Sequence, residues 1–310
     1  MAEQAEPVDE LDVLRAEAAS LGLKIHSRAT RKYVQAKIDA HHAAQAPASN
    51  VSVGIMAHRR REHFVERLVA QMPGADVTWD EREDRWDTGR RAMLAYDPAA
   101  AWRLVVQDDA LLCRDFLPGV EKALACVPPD NPVSFYAGRV RPAAAFVAEM
   151  CDAAVREGRS WFAMKGPWWG VAIAIPTKHI PAMVEWCDQR SDIANYDRRI
   201  SRYFESAGLD CWYSVPSLVD HRIGSENPSL IPHRSSSDNR VAYRFIGDAS
   251  PLDVNWATEP VRALPPSKPL SGRLTSRRWR HAIDGRERST TVGSQLDARC
   301  VSDPNWQERV

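Results

Sequence analysis

The stretch RLVVQDDA, residues 103–110, places two adjacent carboxylates, Asp108 and Asp109, directly after an apolar run. Residues 104–106 have the composition of a strand that is buried on both faces of a sheet. Two like charges side by side at the end of such a strand are costly unless a cation lies between them. The pair therefore predicts a bound cation, and a divalent metal ion attached to a phosphate is the natural candidate.

Composition limits what can surround this strand. The chain has 310 residues, of which 44% are hydrophobic, and this suits one large α/β domain with appendages. A formal net charge of zero excludes a global field that would draw the whole molecule to nucleic acid or an acidic membrane. Six cysteines without C-x-x-C spacing predict reduced, structural thiols. Without a signal-peptide pattern or a run of about 18 apolar residues, we expect a cytoplasmic protein that does not bind membranes, in the host cytoplasm if it is viral.

Residues 1–45 are predicted to form a small unit of their own, followed by a linker at residues 46–50. Apolar residues recur at helical spacing from Leu11 to Leu21, residues 23–26 suit an extended segment, and Thr30 suits the cap of a second helix. The pattern resembles the helix-extended-helix modules of the HeH, SAP and LEM kind. Basic residues on the second helix favour contact with nucleic acid or an acidic partner, or else form a solvated face: Arg28, Arg31, Lys32 and Lys37.

Residues 51–235 alternate strand and helix patterns. Strands are predicted at 51–57, 77–79, 104–106, 133–137, 171–175 and 211–219, and helices at 62–72, 88–95, 116–126, 143–157, from 176 onward and at 197–207. This order favours an α/β fold in which a mostly parallel sheet is flanked by helices. Residues 236–310 are rich in proline and arginine, so we expect a poorly structured C-terminal extension whose arginines contact phosphates or are simply solvated.

Residues 51–221 resemble the GT-A fold glycosyltransferases of the bacteriophage and bacterial type. The resemblance rests on the order of elements, on QDDA at residues 107–110, on GPWWG at residues 166–170 and on the late pair Asp220-His221. In that family a central strand ends in an acidic DxD-type motif that holds Mn²⁺ or Mg²⁺ against the diphosphate of a nucleotide sugar. This chain departs from the strict motif because its third position is Ala110.

The resemblance implies that Asp109 and His221 bind the metal ion, and carboxylate and imidazole together suit Mn²⁺. Asp108 would then contact the ribose or sugar of the donor, with the two roles exchangeable, or Gln107 and Asp109 would form the spaced pair. Alternate residues of a regular strand face opposite ways, so only one of the adjacent carboxylates is expected to point toward the metal ion. The alternative interpretation is a solvated acidic turn.

A general base is implied at the start of a predicted helix. Asp197 lies in NYDRR, residues 195–199, where its charge also suits an N-terminal cap. Inverting members of the family place a carboxylate at such a position to take the proton from the acceptor hydroxyl. Asp197 is therefore the candidate base and Asp192 the second choice, unless the enzyme retains the anomeric configuration.

Two further groups of residues are assigned to substrate binding. The tryptophan faces of GPWWG suit stacking on a sugar or a base, or else belong to the core, and the residues assigned here are Lys165, Trp168, Trp169 and Gly170. Residues that follow the first two strands lie where GT-A proteins hold the nucleotide, with arginines suited to the diphosphate. These donor-binding candidates are Ala57, His58, Arg59, Arg60, Asp80, Asp87 and Arg91.

The resulting hypothesis is a metal-dependent glycosyltransferase that moves a sugar from a UDP- or GDP-linked donor to a hydroxyl of a macromolecule, either protein or nucleic acid. The sequence leaves the sugar, the stereochemical outcome and the oligomeric state open. The alternative is a nucleic-acid- or protein-binding module fused to a catalytically silent nucleotide-binding α/β domain. Nucleotidyl transfer is disfavoured because the chain lacks the glycine-rich, lysine-containing loop usual for that chemistry.

Overall fold

The computed structural model describes residues 9–27, 29–35, 37–38, 50–139, 144–223, 227, 230, 240–264, 276–283 and 286–293. The chain divides into two compact units, Met1–Ser49 and Asn50–Val310, which we call the N-terminal unit and the sheet unit. No helix among the described residues is long and apolar enough to cross a membrane. Of the features predicted above, Arg28, residues 46–49 of the linker, and residues 236–239, 265–275, 284–285 and 294–310 of the C-terminal extension lie outside the described residues.

The N-terminal unit contains two helical segments around a small apolar core. Helix α1 spans Glu10–Ser20, and the carboxylate of Asp9 caps its first turn. A second helical segment covers residues 31–35 and 37–38. Ala18 of α1 and Val34 of the second segment are buried in one apolar cluster. The resemblance to helix-extended-helix modules stays a prediction.

The described residues of the sheet unit form twelve strands. They are β1 Val51–Ala57, β2 Asp76–Trp79, β3 Trp102–Gln107, β4 Ala110–Leu112, β5 Val133–Ser134, β6 Trp161–Lys165, β7 Ala172–Pro176, β8 Asp210–Ser214, β9 Val219–His221, β10 Val261–Leu264, β11 Ser276–Ile283 and β12 Arg286–Gly293. Ten of them form one sheet in the order β12-β11-β10-β6-β8-β5-β7-β3-β1-β2, and β4 pairs with β9. The stretch predicted as one strand at residues 211–219 is therefore divided between two sheets.

Most strands of the large sheet run in one direction. β1 pairs in parallel with both β2 and β3, and β5 pairs in parallel with β8. β7 lies between β3 and β5 and is antiparallel to both. Consequently β2, β1, β3, β5 and β8 share a direction, which β7, β6 and β10 oppose. The predicted α/β class with a mostly parallel, helix-flanked sheet is confirmed.

Six helices in the described part of the sheet unit cover this sheet. They are α2 Glu62–Gln71, α3 Arg85–Leu94, α4 Phe116–Leu124, α5 Ala144–Arg156, α6 Ile180–Asp188 and α7 Tyr196–Ser206. Leu104 and Val106 of β3 belong to the same core as Val65 of α2. Val105 lies between them in sequence and belongs to a second core with Met93 of α3. Because β3 is covered on both faces, its sequence is a continuous apolar run.

The packed part of the sheet unit extends beyond residue 235, where we placed the end of the catalytic domain. Trp256 is 1% exposed, and its ring centroid lies 4.9 Å from that of Trp161 in β6. Strand β10 joins the sheet beside β6. Strand β6, with the sequence WFAMK, was not predicted, because a short apolar stretch without β-branched residues does not distinguish a strand from a helix.

Candidate active site

The carboxyl end of β3 continues into a turn that carries Asp108 and Asp109. The backbone N–H of Asp108 donates to the carbonyl of Met56 in β1 over 3.1 Å, which fixes the turn against the neighbouring strand. β4 follows the turn and pairs with β9, so that Ala110 lies opposite His221. Strand pairing therefore brings His221 next to a carboxylate that is far away in the sequence.

Both carboxylates converge on one guanidinium group. Arg61 Nη1 lies 2.8 Å from Asp108 Oδ1 and 2.7 Å from Asp109 Oδ2, and all three side chains are at most 6% exposed. The backbone N–H of His58 donates to Asp108 Oδ2 over 2.7 Å. The two carboxylates lie in a turn rather than in a regular strand, so the alternation that we expected to separate them does not apply. A cation between the carboxylates is thus present within the chain itself, as Arg61.

This guanidinium does not fully compensate the two acids. Burial and the neighbouring charge of Asp109 raise the pKa of Asp108 to about 6, against the opposing effect of Arg61. Asp109 Oδ1 is buried and has no hydrogen-bond partner within the part of the chain that the structure describes. A buried carboxylate oxygen without a partner is costly, and it points to a ligand that the site receives.

His221 presents a ring nitrogen to the same carboxylate. Its Nε2 lies 3.1 Å from Asp109 Oδ2, and its Nδ1 lies 3.1 Å from the carbonyl oxygen of Arg222. Because a carbonyl only accepts, Nδ1 carries the ring proton, and Nε2 of the neutral ring turns a lone pair toward Asp109. Burial lowers the pKa of His221, which favours this neutral form. A lone pair and a carboxylate oxygen that face each other in this way fit a divalent cation between them.

The ligand set that the protein contributes is nevertheless incomplete. Within the described residues, no group of three or more histidine, cysteine, aspartate or glutamate side chains is arranged for a metal ion. A cation held by Asp109 and His221 would take its remaining ligands from water or from a phosphate. The pair therefore fits an ion that arrives with an anionic substrate better than it fits a closed structural site.

Asp197 lies in the first turn of α7, where backbone N–H groups hold its carboxylate. Hydrogen bonds come from Arg198, over 2.8 Å, and from Gly170 of the GPWWG segment. Burial nevertheless raises the pKa of Asp197 to about 6. A carboxyl group with this pKa is a stronger base than an ordinary aspartate, which suits proton abstraction near neutral pH. Asp192, the second choice, is exposed.

Tyr196 connects the GPWWG segment to the end of β3. Its hydroxyl donates to the carbonyl of Gly170 and lies 3.4 Å from Gln107 Nε2. A Cβ at Gly170 would lie 2.2 Å from this hydroxyl oxygen, and a Cβ at Gly89 would lie 2.8 Å from the tyrosine ring. Glycine at both positions makes room for the buried tyrosine, which links Gln107, the residue before Asp108, to Gly170, whose N–H holds Asp197.

The remaining pocket candidates are divided between the two edges of the sheet. Gly170 lies beside the end of β3, since the backbone N–H of Gln107 donates to the carbonyl of the next residue, Val171, over 2.8 Å. Lys165 ends β6, which runs against β8 and β3, so it lies at the opposite edge from the carboxylates. Trp168 Nε1 donates to the Lys165 carbonyl over 3.1 Å. The fold therefore does not bring Lys165 close to the carboxylates at the end of β3.

The two tryptophans of GPWWG are half-buried. The backbone N–H of Trp168 donates to the hydroxyl of Tyr213 over 2.8 Å. Trp169 packs edge-on against Tyr136, with ring centroids 6.1 Å apart. Both tryptophans also pack against the core formed by α5, β6 and β8, so a role in binding sugar stays a prediction.

Donor-binding candidates from the first two strands lie at the same edge as the carboxylates. Ala57 ends β1, and its carbonyl accepts the backbone N–H of Asp80, which follows β2, over 2.7 Å. The guanidinium of Arg59 lies 4.1 Å from the ring centroid of Trp79. Arg60 is exposed. This edge offers a flat cationic and aromatic surface close to Asp108.

Two candidates on α3 are used in internal contacts. Arg91 Nε lies 3.0 Å from Asp87 Oδ2, and the Arg91 side chain donates to the carbonyl of Trp79 over 2.8 Å. The arginine thereby ties α3 to the end of β2. The assignment of Asp87 and Arg91 to donor binding stays a prediction. A donor at this position would contact two side chains that already pair with each other.

Sequence analysis assigned Arg59 and Arg60 to the candidate site and left out their neighbour Arg61. A signal was present in the periodicity, because Arg61 precedes Val65, Leu68 and Met72 at helical spacing on their buried face. Arg59 and Arg60 are not on this face. An arginine that is buried at the end of a sheet, as this spacing predicts for Arg61, needs a buried anionic partner.

Comparison with known proteins gives little further guidance. No protein-family model matches the chain, and no curated protein matches it. Among solved structures, the chain is similar to a mutant of Drosophila beta-1,4-galactosyltransferase 7 in complex with manganese, UDP-Gal and xylobiose, at 9% identity and a TM-score of 0.34, covering 81% of this chain and 98% of that chain. It is also similar to the catalytic domain of the same enzyme in complex with xylobiose, at 9% identity and a TM-score of 0.32, covering 81% of this chain and 97% of that chain. Likeness at this level carries no argument about the activity of this chain.

Proposed function

We propose that the sheet unit is a metal-dependent glycosyltransferase that moves a sugar from a UDP- or GDP-linked donor to an acceptor hydroxyl. One observation carries the proposal: two buried carboxylates, an arginine and a histidine meet at the carboxyl end of β3, and one carboxylate oxygen, Asp109 Oδ1, is left without a partner among the described residues. The carboxyl edge of parallel strands is where α/β sheets bind their ligands.

Asp109 and His221 would hold the divalent ion, Mn²⁺ or Mg²⁺. When bound, the ion neutralises the negative charge of the diphosphate leaving group. The protein positions the ligands for it, since β9 fixes His221 opposite β4 and the Arg222 carbonyl orients the imidazole ring. These two contacts give the site its shape before any ligand arrives.

The edge formed by β1 and β2 would bind the nucleotide. Arg59 stacked on Trp79 offers a flat surface for a base, and Asp80 offers a carboxylate for a ribose hydroxyl or a base edge. The backbone N–H of His58, which follows β1, donates to Asp108 and holds this carboxylate at the same edge. This arrangement supports a donor that spans the ends of β2, β1 and β3.

Asp197 would take the proton from the acceptor hydroxyl. Its hydrogen bond from Gly170 keeps the carboxylate directed at the segment beside β3, and its pKa of about 6 leaves it mostly ionised at neutral pH. We further propose a macromolecular acceptor, protein or nucleic acid, because the N-terminal unit exposes Lys32, Tyr33 and Lys37 on one helical segment.

Calorimetry of the full chain tests the proposal. UDP or GDP is expected to bind in the presence of Mn²⁺, and Asp109→Asn and His221→Gln are each expected to abolish this binding. Asp130→Asn is the matched control, because Asp130 is an exposed carboxylate that pairs with Lys178. With a nucleotide-sugar panel, transfer should release a nucleoside diphosphate, and transfer that survives Asp109→Asn unchanged would contradict the proposal.

A second candidate, a catalytically silent domain, is favoured by Arg61. The guanidinium already lies between the two carboxylates, so Arg61 compensates part of their negative charge without a metal ion. In that case neither nucleotide should bind with Mn²⁺ in the same calorimetric experiment. The silent domain would then serve as a scaffold for the N-terminal unit.

A further inference from the structure

Asp109 Oδ2 is contacted from two sides. Arg61 Nη1 lies 2.7 Å from this oxygen and His221 Nε2 lies 3.1 Å from it. A divalent ion held between Asp109 and His221 would therefore share its carboxylate with the guanidinium. Two cations at this distance in a buried site repel each other strongly, because the low dielectric screens them little.

The charge of the cluster leads to the same conclusion. When both are ionised, Asp108 and Asp109 carry two negative charges, against the single positive charge of Arg61 that lies between them. Adding a divalent ion without moving Arg61 would reverse the sign of a buried cluster. The guanidinium must therefore leave the carboxylates when the ion binds, and it needs another anion to pair with.

The loop that carries Arg61 permits this movement. The backbone N–H of His58 holds Asp108, the backbone N–H of Arg60 donates to His58 Nδ1 over 3.1 Å, and the backbone N–H of Arg61 donates to the His58 carbonyl over 2.9 Å. These bonds involve no guanidinium atom. The side chain of Arg61 can rotate away while the loop backbone stays attached to the end of β3.

We propose that Arg61 is a resident counter-ion that holds the cation position between Asp108 and Asp109 and leaves it only when a diphosphate arrives. The inference rests on the proposed function, since it takes the donor diphosphate as the anion that receives the guanidinium. Phosphate oxygens accept the planar fork of an arginine well. The metal ion and the donor therefore bind cooperatively, and each raises the affinity for the other by the same factor.

The experiment measures the affinity of the full chain for Mn²⁺ with and without UDP or GDP, corrected for the Mn²⁺–nucleotide complex in solution. For the wild type, nucleotide is expected to tighten Mn²⁺ binding at least about tenfold, or about 1.4 kcal/mol. Arg61→Met is expected to bind Mn²⁺ alone at least about tenfold more tightly than the wild type, and most of the coupling should disappear. Arg61→Lys keeps the charge and should resemble the wild type.

Arg90→Met is the matched control, because Arg90 pairs with Asp188 and both side chains are more than a third exposed. The inference is overturned if folded Arg61→Met binds Mn²⁺ alone no more tightly than the wild type. Absence of Mn²⁺ binding to the wild type in the presence of either nucleotide instead overturns the proposed function. The two failures are therefore distinguishable.

A second measurement needs no stable Arg61→Met variant. In the ¹⁵N spectrum of arginine side chains, the Arg61 Nε–H signal, assigned with Arg61→Lys, is expected to shift when Mg²⁺ and UDP or GDP are added together, and not with Mg²⁺ alone. A signal that stays unchanged while metal and nucleotide bind would overturn the counter-ion role.

Discussion

The two ends of β3 each bury an arginine against carboxylate, and they differ in how completely the charges are matched. At the amino end, Arg103 is fully buried and both Nη atoms bind Asp76, over 2.7 and 2.8 Å. Its remaining N–H groups donate to the Ala92 carbonyl and to Ser52 Oγ. At the carboxyl end, one nitrogen of Arg61 is shared between two acids.

This difference distinguishes a structural ion pair from a ligand-binding site. All five donors of Arg103 have acceptors, so the group has nothing left with which to bind a ligand. The cluster around Arg61 has excess negative charge and an unpartnered oxygen on Asp109 among the described residues. We infer that the amino end of β3 stabilises the fold and the carboxyl end carries the function.

The largest expected effect is on stability at the amino end. Arg103→Met should lower the free energy of unfolding by about 1–3 kcal/mol, because it leaves the buried Ala92 carbonyl without its donors and removes the ion pair of Asp76, whose side chain is 40% exposed. Arg61→Met should cost less at mildly acidic pH, since Asp108 takes up a proton there. Urea unfolding of both variants checks the order.

Arg90→Met, in an exposed pair, is the reference and should change the free energy of unfolding by less than about 1 kcal/mol. At mildly acidic pH, a larger loss for Arg61→Met than for Arg103→Met would reverse the assignment of the two ends.

A smaller effect is expected in the pH dependence of stability. The pKa of Asp108 is raised from 3.8 to about 6, so the folded state binds more protons than the unfolded state between these values. Its contribution to stability is therefore full below about pH 4 and is lost as the pH rises to about 6. Asp108→Asn should remove this decline, on the order of 2 kcal/mol, in unfolding curves measured from pH 4 to pH 7.

Asp197 also has a pKa raised to about 6, so the Asp108→Asn variant should keep the part of the decline that Asp197 causes and lose it only when Asp197→Asn is added. An unchanged slope in the double variant would show that other groups control stability in this range.

The smallest expected effect concerns the link between the carboxyl end of β3 and the proposed base. Tyr196→Phe removes the donor to the Gly170 carbonyl, which loosens Gly170, and the N–H of this residue lowers the pKa of Asp197. The acidic limb of the kcat profile should move to higher pH, and kcat should fall about fivefold, or about 1 kcal/mol. Tyr203→Phe on the same helix is the control, because its hydroxyl is not part of this link.

A uniform loss of kcat at all pH values in Tyr196→Phe would indicate a structural role only. A matching shift in Tyr203→Phe would remove the link from the explanation.

Sequence patterns predicted the order of strands and helices because each of these elements follows a local rule. The apolar run of β3 and the helical spacing in α2 indicate burial without reference to any other part of the chain. The same rules placed Asp108 and Asp109 at the end of a buried strand and required a cation beside them. They also placed Asp197 at a helix start.

Local rules could not identify that cation or the edge at which each candidate lies. Arg61 lies between the carboxylates because β1, which precedes it, is the neighbour of β3 in the sheet. The sequence of neither strand indicates this pairing. Lys165 lies at the edge opposite the carboxylates because β6 runs against β8, a direction set by the whole sheet. The residues next to Arg61 and Lys165 in the sequence indicate neither position.

The sequence alone determined that two acids end a buried strand and that their charge must be compensated, because burial and like-charge repulsion depend only on composition and spacing. Tertiary structure decided that Arg61 lies between the two acids, that His221 Nε2 contacts Asp109, and that Asp109 Oδ1 has no partner among the described residues. Those contacts join segments far apart in the chain, and strand order and direction fix them. Pairing between distant strands minimises the free energy of the sheet as a whole, so no single segment specifies it.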